Sequence, residues 1–179
     1  MEPRTLYLLR HAKSSWDQPL EDRDRPLAPR GRRAARAMAE YMKREALVPD
    51  RVLCSPTTRT RQTWEIVAPI LGTTLPVSYH DEIYEGGPGD VLDLVRREGN
   101  AEAALLVVGH NPGLELLAEH LAGRDTGEHL ERLREKFPTA ALAALELPAG
   151  PWSQVEYGAA KLIRFTRPKD LPEADERDL

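Results

Sequence analysis

The chain has 179 residues, 41% of them hydrophobic and 30% charged, a composition typical of a globular domain long enough to bury a sizeable core. No apolar run approaches the roughly 18 residues that a membrane-spanning helix needs, and a net charge of −4 argues against general affinity for nucleic acid. The single cysteine excludes an internal disulfide, and no signal peptide is evident. We therefore expect a cytoplasmic protein whose partners include neither a membrane nor nucleic acid.

The first half of the chain alternates predicted strands with predicted helices. Apolar runs predict strands at 5–10, 51–54 and 75–79. A polar loop is expected over 13–27, and apolar residues at helical spacing then predict a helix over 31–44. A second helix is expected to begin at Ser55-Pro56, a pair typical of an N-cap and a first turn, and to end at Gly72.

The second half continues this alternation. A helix is predicted over 89–98, and a strand over 104–108 leads into a helix that begins at Asn111-Pro112 and reaches about Leu121. Two further strands are expected at 140–147 and 161–166, the last one at a sheet edge. Alternating strands and helices predict an α/β fold with a mostly parallel sheet covered by helices on both faces. We expect residues 1–168 to form a single domain and residues 169–179 to form an acidic C-terminal tail that frays.

Two histidines directly follow predicted strands. Arg10 and His11 end the first strand, and His110 follows the strand at 104–108. Ligands of open α/β sheets bind at the carboxyl ends of the strands, so these side chains predict a paired-imidazole site that handles an anion. Neutral imidazole is a nucleophile that can form a covalent intermediate, which makes His11 the candidate nucleophile. Without Arg10 and a second histidine, His11 would more simply be a hydrogen-bonding residue at a strand end.

Further residues complete the predicted site. Arg59 lies near the start of the predicted second helix, where the helix dipole and a planar guanidinium both favour a phosphate. His110 can donate a hydrogen bond to a phosphoryl oxygen, and Asn111 beside it is a candidate substrate-binding residue. A general acid would protonate the leaving group, and among the clustered carboxylates at 81–85 we choose Glu82. Glu82 has the plainer alternative of a solvated loop carboxylate.

Other chemistries are disfavoured by spacing. Cys54 precedes Arg59 by five positions, one too few for the Cys-x5-Arg loop of cysteine phosphatases, so we interpret Cys54 as a core residue. No zinc-binding spacing, phosphate loop or dinucleotide fingerprint is present, and we expect neither metal nor cofactor. Six arginines between Arg23 and Arg36 favour a solvated helix face; the alternatives are one or two arginines that face the site, or a nucleic-acid patch, which the flanking acids oppose.

Four motifs together resemble the histidine phosphatase superfamily, the phosphoglycerate-mutase-like group, in order and in sequence. They span residues 8–16, 25–31, 55–63 and 107–114. Many members of the superfamily have Arg-His-Gly at the first motif, whereas this chain has Arg-His-Ala at 10–12. Arg-His-Ala is usual in the SixA branch of phosphohistidine phosphatases, which this chain therefore resembles most. The resemblance runs from about residue 5 to 168 and implies a three-layer α/β/α sandwich. It also implies a phosphohistidine intermediate on His11, with Arg10, Arg59 and His110 around the phosphate.

The sequence thus predicts a metal-independent phosphatase that uses a histidine nucleophile and acts on protein phosphohistidine. One alternative is a phosphatase or mutase of a small phosphorylated metabolite or nucleotide. An alternative of another class is a catalytically silent phospho-binding module. The expected partner is a phosphorylated protein or a small phosphorylated substrate.

Overall fold

The computed structural model describes residues 2–172, in which six strands form one sheet in the order β3-β2-β4-β1-β5-β6. The strands are β1 (Arg4–Arg10), β2 (Arg51–Cys54), β3 (Val77–Tyr79), β4 (Ala104–Gly109), β5 (Leu142–Leu147) and β6 (Lys161–Thr166). Strands β1 to β4 pair in parallel, whereas β5 runs antiparallel to both of its neighbours. The predicted mostly parallel sheet is confirmed, and β6 lies at its edge as expected.

Helices cover both faces of the sheet. They are α1 (Pro29–Arg44), α2 (Thr58–Leu71), α3 (Glu82–Glu85), α4 (Pro88–Glu98), α5 (Gly113–Leu121) and α6 (Glu128–Glu135). Successive strand residues point to opposite faces, so Leu6 and Leu8 of β1 join the core under α3 to α6, while Tyr7 and Leu9 join the core under α1 and α2. This confirms the three-layer α/β/α sandwich. No helix among residues 2–172 is long and apolar enough to cross a bilayer.

Several helix boundaries differ from the predictions. Helix α2 begins at Thr58 with Thr57 in the N-cap position, so the prediction of Ser55 as the N-cap is wrong. The Ser55 hydroxyl instead hydrogen-bonds to the imidazole of His110, which follows the neighbouring strand β4. The predicted end of α2 at Gly72 is confirmed, because Gly72 adopts the left-handed conformation with φ of 70°.

Helices α3 and α6 have no counterpart in the sequence predictions. They span only four and eight residues, which is too short for a clear amphipathic period. Strand β5 begins two residues later than predicted, after Ala140, whose φ of 61° interrupts the extended conformation.

The described part of the expected tail packs against the domain. Pro168–Asp170 form a 3-10 turn, the Asp170 carboxylate binds both Arg132 and Arg167, and Leu171 is buried. Asp170 and Leu171 thus tie this part of the tail to the domain, whereas 173–179 lie outside the described residues. The division into a domain over 1–168 and a tail over 169–179 stays a prediction.

A close backbone approach at Gly31 fixes the loop after β1 against α1. A Cβ at Gly31 would lie 2.1 Å from the carbonyl oxygen of Lys13, and the Ala28 N–H donates to that same oxygen over 2.9 Å. Only glycine therefore lets the first turn of α1 pack directly on the backbone two residues after His11.

Replacing Gly31 with alanine is expected to destabilise the protein by about 1–3 kcal/mol, since backbone on both sides must shift. The matched control is Gly89→Ala in α4, where a new Cβ meets only the Tyr157 hydroxyl, at 3.8 Å. That control should be neutral or stabilising by up to about 1 kcal/mol, because alanine is the better helix former. Urea unfolding followed by circular dichroism measures both, and equal midpoints for the two variants would contradict this account.

Candidate active site

The carboxyl ends of three neighbouring strands bring the candidate residues together. Strand β4 lies between β1 and β2, so Arg10-His11, Ser55 and His110 emerge side by side. Hydrogen bonds beyond the named strands hold this register: the His11 N–H donates to Gly109 and the Ser55 N–H donates to Val108, each over 3.0 Å. The site is therefore built on the ends of three adjacent, hydrogen-bonded strands of the sheet.

The His11 imidazole is buried and fixed in one tautomer. Its Nδ1 lies 2.7 Å from the carbonyl oxygen of Ala12, and because a carbonyl only accepts, Nδ1 carries the proton. The Nε2 lone pair is then free, and no described residue hydrogen-bonds to it. Burial lowers the pKa of His11 to about 3, and the nearby charges of Arg59 and Arg10 lower it further. At neutral pH His11 is an uncharged imidazole in the form that a nucleophile requires.

The second imidazole lies beside the first. The ring centroids of His11 and His110 are 5.2 Å apart, and those of Tyr84 and His110 are also 5.2 Å apart. The Nε2 atom of His110 hydrogen-bonds to the Ser55 hydroxyl over 2.7 Å, which orients the ring. Burial, followed by the charge of Arg59, lowers the pKa of His110 to about 3. Both imidazoles are therefore neutral at pH 7, and the nearby arginines favour that neutral state.

Two arginines bring buried positive charge to these rings. The Arg10 guanidinium donates through Nη1 to the carbonyl oxygen of Phe137, and Arg59 donates through Nη1 and Nη2 to the backbone and carboxylate of Asp22. The Nε atoms of Arg10 and Arg59 are both buried and have no hydrogen-bond partner among the described residues. Buried donors without a partner cost free energy, so an anion that accepted from them would be bound favourably.

Asp22 links the loop after β1 to the site. Its carboxylate accepts from Arg59 Nη2 over 3.0 Å, from the Tyr84 hydroxyl over 2.6 Å and from Arg25 Nη2 over 3.0 Å. The hydrogen bond from Tyr84, with those from the two arginines, holds the pKa of Asp22 well below its usual range. Arg25 also donates to Ser14 and lies 3.6 Å above the Trp16 ring. These contacts place one of the six arginines of segment 23–36 at the site, which was the less favoured alternative.

The residues enclose a pocket of about 350 Å³. Among its described lining residues are four cationic side chains and no carboxylate: Arg10, Lys13, Arg25 and Arg59. His11, His110, Tyr84 and Asn111 line the same pocket. Such a pocket is suited to a tetrahedral oxyanion next to an imidazole nucleophile.

Two predicted residues have other surroundings than expected. Glu82 does not line the pocket; its carboxylate pairs with Arg97 of α4, and a backbone hydrogen bond and Arg97 lower its pKa, which does not suit a general acid. Asn111 lines the pocket, but its amide donates to Phe137 and accepts from the Glu115 N–H. Asn111 is therefore committed to holding the start of α5 in place.

Sequence reasoning missed several residues at the site, of which Tyr84 lines the pocket. Ser55, Tyr84 and Asp22 contact the imidazoles or Arg59, yet none of them forms a recognisable motif alone. For Ser55 a signal existed, since it follows β2 at the same sheet edge as His11 and His110. Cys54 is a core residue, as predicted, and burial raises its pKa to about 12. Over residues 2–172, no group of three or more His, Cys, Asp or Glu side chains is arranged to hold a metal ion.

Comparison with known proteins gives the class. A family model for the histidine phosphatase superfamily (branch 1) matches residues 6–102, and the chain belongs to that superfamily. An uncharacterized protein of Mycobacterium tuberculosis is 41% identical over 164 residues, covering 90% of this chain and 100% of the relative.

Solved structures agree with this class. A candidate phosphohistidine phosphatase SixA from Nakamurella multipartitia superposes with a TM-score of 0.83 at 31% identity, over 94% of this chain and 98% of that one. A protein histidine phosphatase SixA complexed with tungstate superposes with a TM-score of 0.74 at 27% identity, over 93% of this chain and 98% of that one. The resemblance stated from the sequence motifs is confirmed.

The buried imidazoles predict a specific response to pH. An unfolded imidazole has a pKa of about 6.5, whereas His11 and His110 have pKa values of about 3, so the unfolded state binds more protons between these values. Stability should therefore be full above about pH 6.5 and fall as the pH is lowered from there toward 3. Nitrogen-15 spectra of the native protein at pH 7 and pH 5 should show His11 as the uncharged Nδ1–H tautomer at both.

Urea unfolding at the same two pH values supplies the control for this prediction. Replacing His11 with asparagine removes one of the two depressed groups and should reduce the loss of stability between pH 7 and pH 5. Ring signals of His11 that titrate with a midpoint near pH 6.5 in the native protein would contradict the assignment.

Proposed function

We propose that the chain is a cytoplasmic, metal-independent phosphatase that transfers a phosphoryl group to His11 and then to water, with protein phosphohistidine as its substrate. The observation that carries the proposal is the pair of buried, unpartnered Nε donors on Arg10 and Arg59, next to an imidazole whose Nε2 lone pair is free. This arrangement supplies both the nucleophile and the charge that phosphoryl transfer needs. The two SixA structures, one of them with the phosphate-like oxyanion tungstate, support the same reading.

In the first half-reaction, His11 Nε2 attacks the phosphorus in line with the leaving group. A bond forms between Nε2 and phosphorus, and the bond between phosphorus and the nitrogen of the substrate imidazole breaks. The substrate ring, protonated on its other nitrogen, keeps the electron pair of the broken bond and leaves as neutral imidazole. Arg10 and Arg59 hold the phosphoryl oxygens, and His110 hydrogen-bonds to a phosphoryl oxygen beside them. These contacts stabilise the charge on the equatorial oxygens.

In the second half-reaction, water attacks the phosphorus of the phosphorylated His11. The nitrogen–phosphorus bond breaks, inorganic phosphate leaves and His11 returns to its neutral state with Nδ1–H on Ala12. During both steps a phosphoryl oxygen competes with the Asp22 carboxylate for Arg59, which the carboxylate contacts over 3.0 Å. The Asp22 carboxylate therefore occupies the position on the Arg59 guanidinium that a phosphoryl group takes during the reaction.

The nucleophile assignment predicts a trappable intermediate. Rapid quenching during turnover of a radiolabelled substrate should leave phosphate on the protein that survives alkali and is lost in acid, as a phosphoramidate bond requires. His11→Asn should abolish this label and reduce turnover to background. His120→Asn, at an exposed histidine of α5, is the control and should behave as the parent. Undiminished labelling of the His11 variant would exclude His11 as the nucleophile.

The role of Arg59 in holding the phosphoryl oxygens can be tested with two variants of helix α2. Arg59→Gln removes two oxyanion donors and should lower kcat/KM by about 10²–10³-fold. Arg61→Gln is the matched control, because Arg61 lies two residues further along α2, is exposed and donates to Pro56 instead. Steady-state kinetics on a generic phosphate ester measures both, and similar losses in the two variants would overturn the role of Arg59.

The substrate class has its own measurement. We expect kcat/KM for a phosphohistidine peptide to exceed that for each member of a panel of sugar phosphates and nucleotides. Fast turnover of a single small phosphate, with slow turnover of the peptide, would favour the metabolite phosphatase. Phosphate binding with no turnover of any substrate would favour the silent phospho-binding module.

A further inference from the structure

A second, larger pocket adjoins the candidate active site. Its volume is about 460 Å³, and it shares Arg10, Lys13 and Thr139 with the first pocket. We call it the basic groove, because its described lining includes six cationic side chains and no carboxylate: Arg10, Lys13, Arg30, Lys136, Arg167 and Lys169. A molecule that places a phosphoryl group against His11 can therefore extend directly into the groove.

Four segments that are distant in sequence build this groove. Lys13 follows β1 and is held to α1 by the contact at Gly31, Arg30 lies in the first turn of α1, and Lys136 follows α6. Arg167 and Lys169 come from the 3-10 turn after β6. Like charges repel, so such convergence in a chain with a net charge of −4 costs stability unless an anion compensates it.

The nearby carboxylates neutralise only part of this charge. Asp170 pairs with Arg167, and the charge of Glu115 acts on Arg10. Four of the six groove cations form no ion pair with any residue among 2–172: Lys13, Arg30, Lys136 and Lys169. By contrast, Arg23 and Arg97 on the other side of the site each contact a carboxylate.

Helix stability does not explain the position of Arg30. A cation in the first turn of a helix opposes the helix dipole, and α1 has no acidic residue in that turn to offset it. Lys136 differs, because a cation at the end of α6 is favoured by the dipole. Arg30 thus carries an electrostatic cost in the isolated protein that an anionic ligand in the groove would remove.

We propose that the basic groove binds acidic side chains that flank the phosphohistidine of the protein substrate, a proposal that rests on the function proposed above. The groove is larger than the phosphate pocket, so one small anion would leave most of its cations uncompensated. Its cations come from separate segments, as suits an extended polypeptide with several carboxylates. Specificity for the substrate protein then comes from the groove, and chemistry from the pocket beside it.

The test combines one triple variant with three substrates. The groove triple removes three groove cations that do not line the phosphate pocket, through the substitutions Arg30→Gln, Lys136→Gln and Lys169→Gln. The control triple is Arg36→Gln, Lys43→Gln and Lys161→Gln, which changes the charge equally at exposed positions outside the groove. The substrates are a phosphohistidine peptide flanked by glutamates, the same peptide flanked by glutamines, and p-nitrophenyl phosphate.

For the parent protein we expect kcat/KM to be about tenfold higher on the glutamate peptide than on the glutamine peptide, as several exposed ion pairs supply. The groove triple should lose this preference through KM and retain its turnover of the glutamine peptide and of p-nitrophenyl phosphate. The control triple should keep the preference. Added salt should reduce the preference in the parent and have little effect on it in the groove triple.

Other outcomes would overturn the proposal in distinguishable ways. Two results would show that the groove does not recognise acidic residues beside the phosphohistidine. One is an equal kcat/KM of the parent on both peptides, and the other is an equal loss of the preference in the two triples. A groove-dependent preference for small bisphosphates over monophosphates, without one between peptides, would assign the groove to a second phosphate of a small substrate. A parent that hydrolyses p-nitrophenyl phosphate but neither peptide would refute the proposed function itself, and the groove proposal with it.

Discussion

Buried positive charge next to neutral imidazoles is the constraint on which the rest of the site depends. Arg59 is buried and Arg10 half-buried, yet both remain charged, because a guanidinium is hardly ever deprotonated. Burial keeps His11 and His110 unprotonated, and the two arginines add to this effect, since each added proton would face two fixed cations. The same charges that attract a phosphoryl group therefore also keep the nucleophile in its reactive form.

Asp22 shows how the protein tolerates this charge when no phosphoryl group is bound. Its carboxylate contacts Arg59 and Arg25 and accepts from the Tyr84 hydroxyl, so one side chain ties the loop after β1 to both α2 and α3. A phosphoryl group at Arg59 competes with this carboxylate. Under the proposed function, a phosphoryl group in the pocket would weaken the contact between Asp22 and Arg59 that ties this loop to α2.

The fold and the centre of the site were largely predictable because they depend on local patterns. Apolar runs locate β1, β2 and β4, and the carboxyl ends of parallel strands necessarily share one edge, so His11 and His110 could be paired from sequence. The role of Ser55 was misjudged for a physical reason. A serine before a proline suits a helix N-cap, and only the tertiary structure shows that its hydroxyl meets His110 instead.

The acid loop shows where sequence reasoning stops. Glu82 and Tyr84 are two residues apart in the short helix α3, and two residues correspond to about 200° around a helix axis. The two side chains therefore point to opposite sides, and composition alone does not decide which one faces the pocket. In the structure Tyr84 lines the pocket and Glu82 meets Arg97 on α4. The choice of Glu82 for its carboxyl chemistry therefore fell on a residue that pairs with Arg97 instead of lining the pocket.

The described lining of the pocket includes no carboxylate, which has a consequence for the substrate. An alkyl phosphate ester leaves as a poor alkoxide unless an acid protonates it, whereas the ring of a protonated phosphohistidine leaves as neutral imidazole. Transfer from phosphohistidine to His11 also replaces one nitrogen–phosphorus bond with another of the same kind, so neither direction is strongly uphill. The pocket then needs to align the two imidazoles and to neutralise the phosphoryl oxygens, which is what Arg10, Arg59 and the hydrogen-bonded rings can supply. The residues that surround His11 therefore suit an imidazole leaving group better than an alkoxide.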